Sequence, residues 1–262
     1  MLSLMAHHDD RTAFRLYAIL GGVQKAGTTT LFRYLAAHPQ LAAPSRKETH
    51  FFDNETIDWD EPDYGILKGF YPAKMGERLA FDATPIYLFW PPSLARIRAH
   101  NADIRLIFLF RDPIERAWSH WRMETSRDAE SLPFASAIRD GRQRLNGRNP
   151  LDPAWRVFSY VERGYYAPQV RQLLNLFSRE QILFLTLSQL KRDRDAVLRR
   201  IATFLGIAPF LSLPTYHERR SEAPPMQEED IIYLRKIFRD DVIEFSKISE
   251  VCVGDWLTMC DE

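Results

Sequence analysis

Short apolar runs along the chain alternate with stretches whose apolar residues recur at helical spacing. The first run, Arg15 to Gly22 (RLYAILGG), ends in two glycines and predicts a buried strand. Thr28 to Ala37 (TTTLFRYLAA) then has helical spacing and stops at His38-Pro39. A second strand is predicted over Arg78 to Pro85 (RLAFDATP), with a helix from Pro92 to His100. The third run, Ile104 to Pro113 (IRLIFLFRDP), is continuously apolar until Arg111-Asp112-Pro113. A helix is predicted from Ile114 to Thr125, with Pro113 near its first turn and Asp112 suited to cap it. A helix over Ala167 to Phe177, a fourth strand over Gln181 to Leu187 and a helix over Asp193 to Leu205 complete the pattern.

Strands alternating with helices predict an α/β fold: a single P-loop-type domain with a central parallel sheet flanked by helices on both faces. The domain is expected to span 1–262, with 1–14 as a flexible N-terminus. Residues 128–155 and 214–226 break the pattern with charges, prolines and glycines, and are expected to be irregular surface segments able to form a lid or substrate wall. Ligands of such sheets bind beyond the carboxyl ends of the strands. The glycine loop after the first strand and the Arg111 turn both lie at such ends.

Composition changes this picture little. The 262 residues are 45% hydrophobic and 27% charged, as in ordinary globular domains. The 35 basic and 35 acidic side chains cancel, which argues against bulk binding to nucleic acid or membrane but leaves room for a small anion held by a few cations. Cys252 and Cys260 have neither CxxC nor zinc-type spacing and read as free thiols; no metal site is expected. The N-terminal stretch, with His7-His8, lacks the apolar core of a signal peptide, and no run approaches the ~18 residues of a membrane span. A cytoplasmic location and no transmembrane segment are therefore expected, while oligomeric state is not legible.

The chemistry starts at Gly21 to Thr30 (GGVQKAGTTT). Gly22 and Gly27 have the spacing of a Walker loop, but Thr28 stands at its lysine position and Lys25 lies inside the loop. Amides of a glycine turn and a first helical turn can cradle an anion, and Thr28, Thr29 and Thr30 add hydroxyls there. A Walker loop also needs an aspartate for Mg²⁺. Asp82, beside Ala83-Thr84-Pro85, and Asp112, between arginine and proline, are poor candidates. Downstream, RDPIERAWSHW brings Arg111, Arg116 and Ser119; Arg111 and Ser119 can meet one phosphate with a planar fork and a hydroxyl.

At these residues the chain resembles the PAPS-dependent sulfotransferases (PAPS being 3′-phosphoadenylyl sulfate). QKAGTTTL resembles their 5′-phosphosulfate loop and FLFRDPIERAWSHW their 3′-phosphate segment. The likeness continues through RKETHFFD (46–53), DATPIYLF (82–89), RGYYAPQVRQLLNLF (163–177) and ILFLTLSQL (182–190). The K-E-x-H-F-F variant is similar to the glycosaminoglycan (heparan sulfate) enzymes and their bacterial relatives. The chain departs from them at Asp82-Ala83-Thr84-Pro85, where those enzymes carry a lysine in an E-K-[ST]-P-like segment. The departure weighs against a heparan-like acceptor without touching sulfuryl transfer.

The resemblance implies a sulfotransferase fold, PAPS as co-substrate, PAP as product and no metal. It also implies a small-molecule or glycan acceptor that takes the sulfuryl group at a hydroxyl or amine. Lys25, Ala26, Gly27, Thr28, Thr29 and Thr30 would hold the 5′-phosphosulfate, and Arg111 and Ser119 the 3′-phosphate. Arg219 and Arg220 would belong to a covering loop. Lys25 would neutralise charge on the bridging oxygen, Glu48 would be the base, and His50 is the rival base. Trp118, Trp121, Tyr160 and Tyr166 are candidates to stack on adenine. A silent PAP- or PAPS-binding protein and a metal-dependent P-loop kinase are the alternatives.

Overall fold

The structure, a computed structural model, describes residues 14–211 and 225–260. Five parallel strands form one sheet: β1 (Ala18–Gly22), β2 (Leu41–Ala42), β3 (Leu79–Asp82), β4 (Arg105–Phe110) and β5 (Ile182–Thr186), in the order β2-β3-β1-β4-β5. Most of their residues are buried because helices cover both faces, which is why each strand reads as a continuous apolar run. From β1 the chain builds β2 and β3 on one side, then β4 and β5 on the other. The carboxyl end of β1 is thus the topological switch point, where a crevice opens in such sheets.

The helices follow as α1 (Thr28–Ala36), α2 (Tyr64–Lys68), α3 (Ser93–His100), α4 (Pro113–Thr125), α5 (Phe134–Ala137), α6 (Ala154–Phe158), α7 (Tyr166–Leu176), α8 (Leu187–Arg192), α9 (Arg194–Leu205) and α10 (Glu228–Ser249). Asp112 caps α4, accepting the Glu115 amide at 3.0 Å, with Pro113 in the first turn as expected. The predicted strands and helices are all present, with ends shifted by a few residues.

Some of the structure departs from the sequence reading. The short edge strand β2 and the helix α2 are additional, and α10 is a 22-residue helix over a stretch given no element. Its signal is the spacing of Leu234, Phe238, Val242 and Phe245, all buried in the core. Asp241 on α10 also accepts the Tyr166 amide at the start of α7, at 2.7 Å. Segment 128–155 contains α5 and a 3-10 turn at Asp140–Leu145, so it is less irregular than expected. Of the N-terminal stretch, residues 1–13 lie outside the described residues, and the Phe14 ring packs 5.0 Å from Tyr71. Most of 214–226 lies outside them too, including Arg219 and Arg220. Cys252 and Cys260 are exposed free thiols.

Two local features shape the crevice. A Cβ on Gly21 would sit 2.9 Å from Phe108 Cε1, and one on Gly22 would meet both Phe108 and Leu88, so β1 ends in glycine where β4 presses against it. The second is Asp82, fully buried at the end of β3. It accepts from Tyr87 Oη at 2.7 Å, Thr49 Oγ1 at 2.9 Å, Thr84 Oγ1 at 3.0 Å and the Ala83 amide at 2.7 Å. Through Thr49 it anchors the segment that carries Glu48 and His50. Asp82→Ala, which leaves these donors unpaired, is expected to lower unfolding free energy by about 3 kcal/mol or more. Urea denaturation measures this; a loss below about 1 kcal/mol would show that the anchor is dispensable.

Candidate active site

The loop between β1 and α1 owes its shape to two residues in left-handed backbone conformation, Lys25 at φ 71° and Gly27 at φ 86°. Such a φ is strained for lysine and free for glycine. Arg111 at the end of β4 braces the loop, its Nη1 donating to the Lys25 carbonyl at 3.2 Å. Gly27 is the N-cap of α1 and supplies no side-chain cap. Among the described residues no acceptor takes the amides of Gly27, Thr28 or Thr29, so they remain available to an anion, as at any uncapped helix start. Ala26 differs from the expectation: it is fully buried and its amide bonds back to the Val23 carbonyl at 3.2 Å.

These residues open into a cleft of about 980 Å³ at the switch point. Lys25, Gly27, Thr28, Thr29, Thr30, Arg111 and Ser119 all line it, as do Glu48 and His50. Arg33, Lys47, Arg127, Arg156 and Arg163 add positive charge against only Glu48 and Glu124, so an electrically neutral chain gathers cations here. Burial, with the charges of Arg127 and Arg111, holds the Lys25 ammonium below its ordinary pKa.

Glu48 and His50 both take positive φ, 64° and 53°. This directs their side chains into the cleft while Thr49 between them points to Asp82. Glu48 bonds to Lys47, and its other oxygen lies 3.6 Å from His50 Nε2. His50 Nδ1 lies 2.9 Å from Asp53 Oδ2, and Arg156 grips both the carboxylate and the carbonyl of Asp53 while stacking 4.0 Å over Trp90. Burial alone would push Glu48 up; His50, 3.6 Å away, and the charge of Lys47 bring it down to about 2. The hydrogen bond to Asp53 and the neighbouring Glu48 carboxylate raise His50 to about 9 against its partial burial.

Asp53, Arg156 and Arg163 are site residues that sequence reasoning did not assign. Asp53 was within reach, three residues beyond His50 in RKETHFFD. Arg156 lies 103 residues from its partner and carries no such signal. Arg163 opens the segment RGYYAPQVRQLLNLF; it is buried, donates to Gln24 Oε1 in the loop, and falls to about 9 through burial and the charges of Arg116 and Arg156. Arg116 is itself fully buried, donates to the Tyr160 carbonyl and does not line the cleft.

None of the four proposed adenine partners lines the cleft. Tyr160 and Tyr166 are fully buried, their hydroxyls given to Glu130 and the Arg111 carbonyl. Trp118 and Trp121 stack on each other at 4.9 Å and pack against Phe134. Asp82 and Asp112 are occupied as well, Asp112 by Glu115 and Thr258.

Residues 17–251 match the family model for the sulfotransferase domain. The chain belongs to the PAPS-dependent sulfotransferase family. Members of this family use PAPS and yield PAP. The chain is 29% identical over 211 residues to heparan sulfate glucosamine 3-O-sulfotransferase 3B1 of Mus musculus, covering 79% of this chain and 50% of that protein. It is 30% identical over 193 residues to heparan sulfate glucosamine 3-O-sulfotransferase 6 of Homo sapiens, covering 72% and 52%. The chain spans about half the length of these curated relatives. A solved sulfotransferase from Alicyclobacillus acidocaldarius superposes with a TM-score of 0.78 at 25% identity, over 93% of this chain and 99% of that one. Among the described residues, no helix is long and apolar enough to cross a membrane.

The His50 cluster ties this sulfotransferase's stability to pH. A raised histidine pKa means that the folded state holds a proton the unfolded state releases above about pH 6.5. The stabilisation is therefore complete below about 6.5 and lost as pH rises through about 9. Melting curves of wild type and His50→Gln should differ most near pH 6 and converge by about pH 10; a gap that does not change with pH would contradict the assignment.

Proposed function

We propose that this chain transfers the sulfuryl group of PAPS to a hydroxyl or amine of a carbohydrate, lipid or secondary-metabolite acceptor, and does so in the cytoplasm. The supporting observation is that an anion cradle and an ionised acid–histidine–acid chain face each other across one cleft. In this reading Lys25, the Gly27, Thr28 and Thr29 amides and the three threonine hydroxyls hold the 5′-phosphosulfate. Arg111, just past the end of β4, and Ser119, in the second turn of α4, take the 3′-phosphate. Free amides and hydroxyls suit a nucleotide with two anionic ends, and Arg111, now paired to Glu115 at 2.9 Å, would exchange that partner for the 3′-phosphate.

The acceptor oxygen or nitrogen bonds to sulfur as the bond from sulfur to the phosphate oxygen breaks, so one proton must leave the acceptor and negative charge builds on the phosphate. Lys25 neutralises that charge, and its lowered pKa reflects its burial first and the cations gathered beside it second. Glu48 takes the proton. With His50 raised to about 9, the imidazole is protonated at neutral pH and has no lone pair to offer, which favours Glu48 over its rival. An acceptor that draws Lys47 off Glu48 restores the basicity that the ion pair suppresses. Asp53 and Arg156 keep His50 oriented. Ala83, fully buried, offers no cation from the end of β3, so an acceptor carrying negative charge is met by Lys47 and Arg156 instead.

Transfer from ³⁵S-labelled PAPS to carbohydrate, lipid and phenolic pools, with and without Mg²⁺, tests the reading. Metal-independent transfer is expected. Glu48→Gln should lower kcat by about 10²–10⁴-fold with PAP binding retained, and Lys25→Ala by about 10²–10³-fold. PAP binding with no transfer to any pool would favour the silent binder. Mg²⁺-dependent ATP turnover would favour the kinase.

A further inference from the structure

Glu124 is out of place in an anion site. The last turn of α4 directs it into the cleft that also holds Lys25, Arg111 and Ser119, with its side chain only 6% exposed. Among the described residues no hydrogen bond reaches its carboxylate. The nearest cationic or imidazole nitrogens, His120 Nε2 on the same helix and Arg127 Nη1 in the turn just past its end, are both 3.6 Å away. His120 is fully buried and neither of its ring nitrogens has a partner. From other elements, Lys25 of the glycine loop and Arg163 of the turn at Glu162–Gly164 face Glu124 at longer range, with the uncharged Tyr160 nearby.

A buried carboxylate without donors is poorly solvated, and burial raises the Glu124 pKa against the pull of Arg127, Arg163 and Lys25. While the cleft holds no ligand, its charge offsets part of the cation excess. A bound nucleotide brings more negative charge to the same cations, so an ionised Glu124 would repel it. Protonation removes the repulsion and turns an acceptor into a donor.

Resting on the reading of this cleft as the PAPS site, we propose that Glu124 takes up one solvent proton as the nucleotide enters and binds its 5′-phosphate as a neutral carboxylic acid. The O–H donates to a phosphate oxygen, and the proton returns to solvent when PAP leaves. Glu124 is thereby a donor-binding residue that works in its protonated form, beside a Glu48 that works ionised.

Titration calorimetry of PAP into the full chain, in buffers of differing ionisation enthalpy, counts the protons exchanged. Wild type should take up more protons than Glu124→Gln, by up to about one per site, because glutamine imitates the neutral acid. Its PAP affinity should fall with pH by up to about tenfold per unit, while the variant's falls less. His50, Lys25 and the phosphates of PAP titrate in both proteins and drop out of the difference. Equal proton uptake and equal pH dependence in the two proteins would overturn the proposal. So would loss of the uptake in His120→Asn but not in Glu124→Gln. Absence of PAP binding by folded wild type would instead overturn the PAPS reading.

Discussion

The carboxylate of Asp82 is the constraint on which the site depends. Fully buried at the end of β3, it gathers Thr49, Thr84, Tyr87 and the Ala83 amide. A buried carboxylate costs much unless its lone pairs are filled, so this network has one satisfactory arrangement. That arrangement pins Thr49 inward, and the residues on either side must then point outward. Glu48 and His50 accept left-handed backbone conformations, each costing of order 1–3 kcal/mol, to face the glycine loop. The apparent oddity of the Asp82-Ala83-Thr84-Pro85 step is thus structural: the aspartate is an anchor, and its neighbour Ala83 is packed in the interior.

Charge organises the opposite wall. A chain with equal numbers of acids and bases has no long-range field to attract an anion, so attraction is local. Cations are brought to the cleft from the glycine loop, α1, the segment before Glu48, the end of β4, the turn after α4 and the segment around α6, and several are half-buried or more, where Coulomb interactions are less screened. Arg163 shows how far this goes: its guanidinium is buried among neutral acceptors, Ser159 Oγ, the Trp155 and Arg156 carbonyls and Gln24, and braces the loop from behind. The helix amides add donors without another side chain.

What could be read from sequence follows the range of the interactions. The strands, α1, α4 and the glycine loop are encoded within windows of ten or so residues, by apolar runs, caps and glycine spacing, and they stand where the pattern put them. Lys25, Thr28, Thr29, Thr30, Arg111 and Ser119 come together because the sheet places consecutive strand ends side by side. The helix α10 was legible too, from Leu234 through Phe245, but its pattern competes with a highly charged surface face. Arg156 gripping Asp53 and Asp241 capping α7 join distant segments, and nothing local announces them. The aromatic residues misled for a related reason. A tyrosine or tryptophan reads alike whether it meets a ligand or, like Tyr166 against Phe110 and Phe245, completes the core.

The two carboxylates that reach the cleft show what the arrangement accomplishes chemically. Glu48 and Glu124 start from the same intrinsic acidity and both are partly desolvated, a change that by itself raises each. Glu48 is then drawn down to about 2 by His50, 3.6 Å from one of its oxygens, and by close contact of the other with Lys47, whereas Glu124 has no group within hydrogen-bond distance and stays raised. Environments that push two like groups apart fit one for accepting a proton and the other for holding one. The separation rests on distance: a contact with Lys47 on one wall, and gaps of 3.6 Å to His120 and Arg127 on the other. The gap to His120 follows from its place one turn before Glu124 on the same helix, where its ring is fully buried in the core and not turned to the carboxylate.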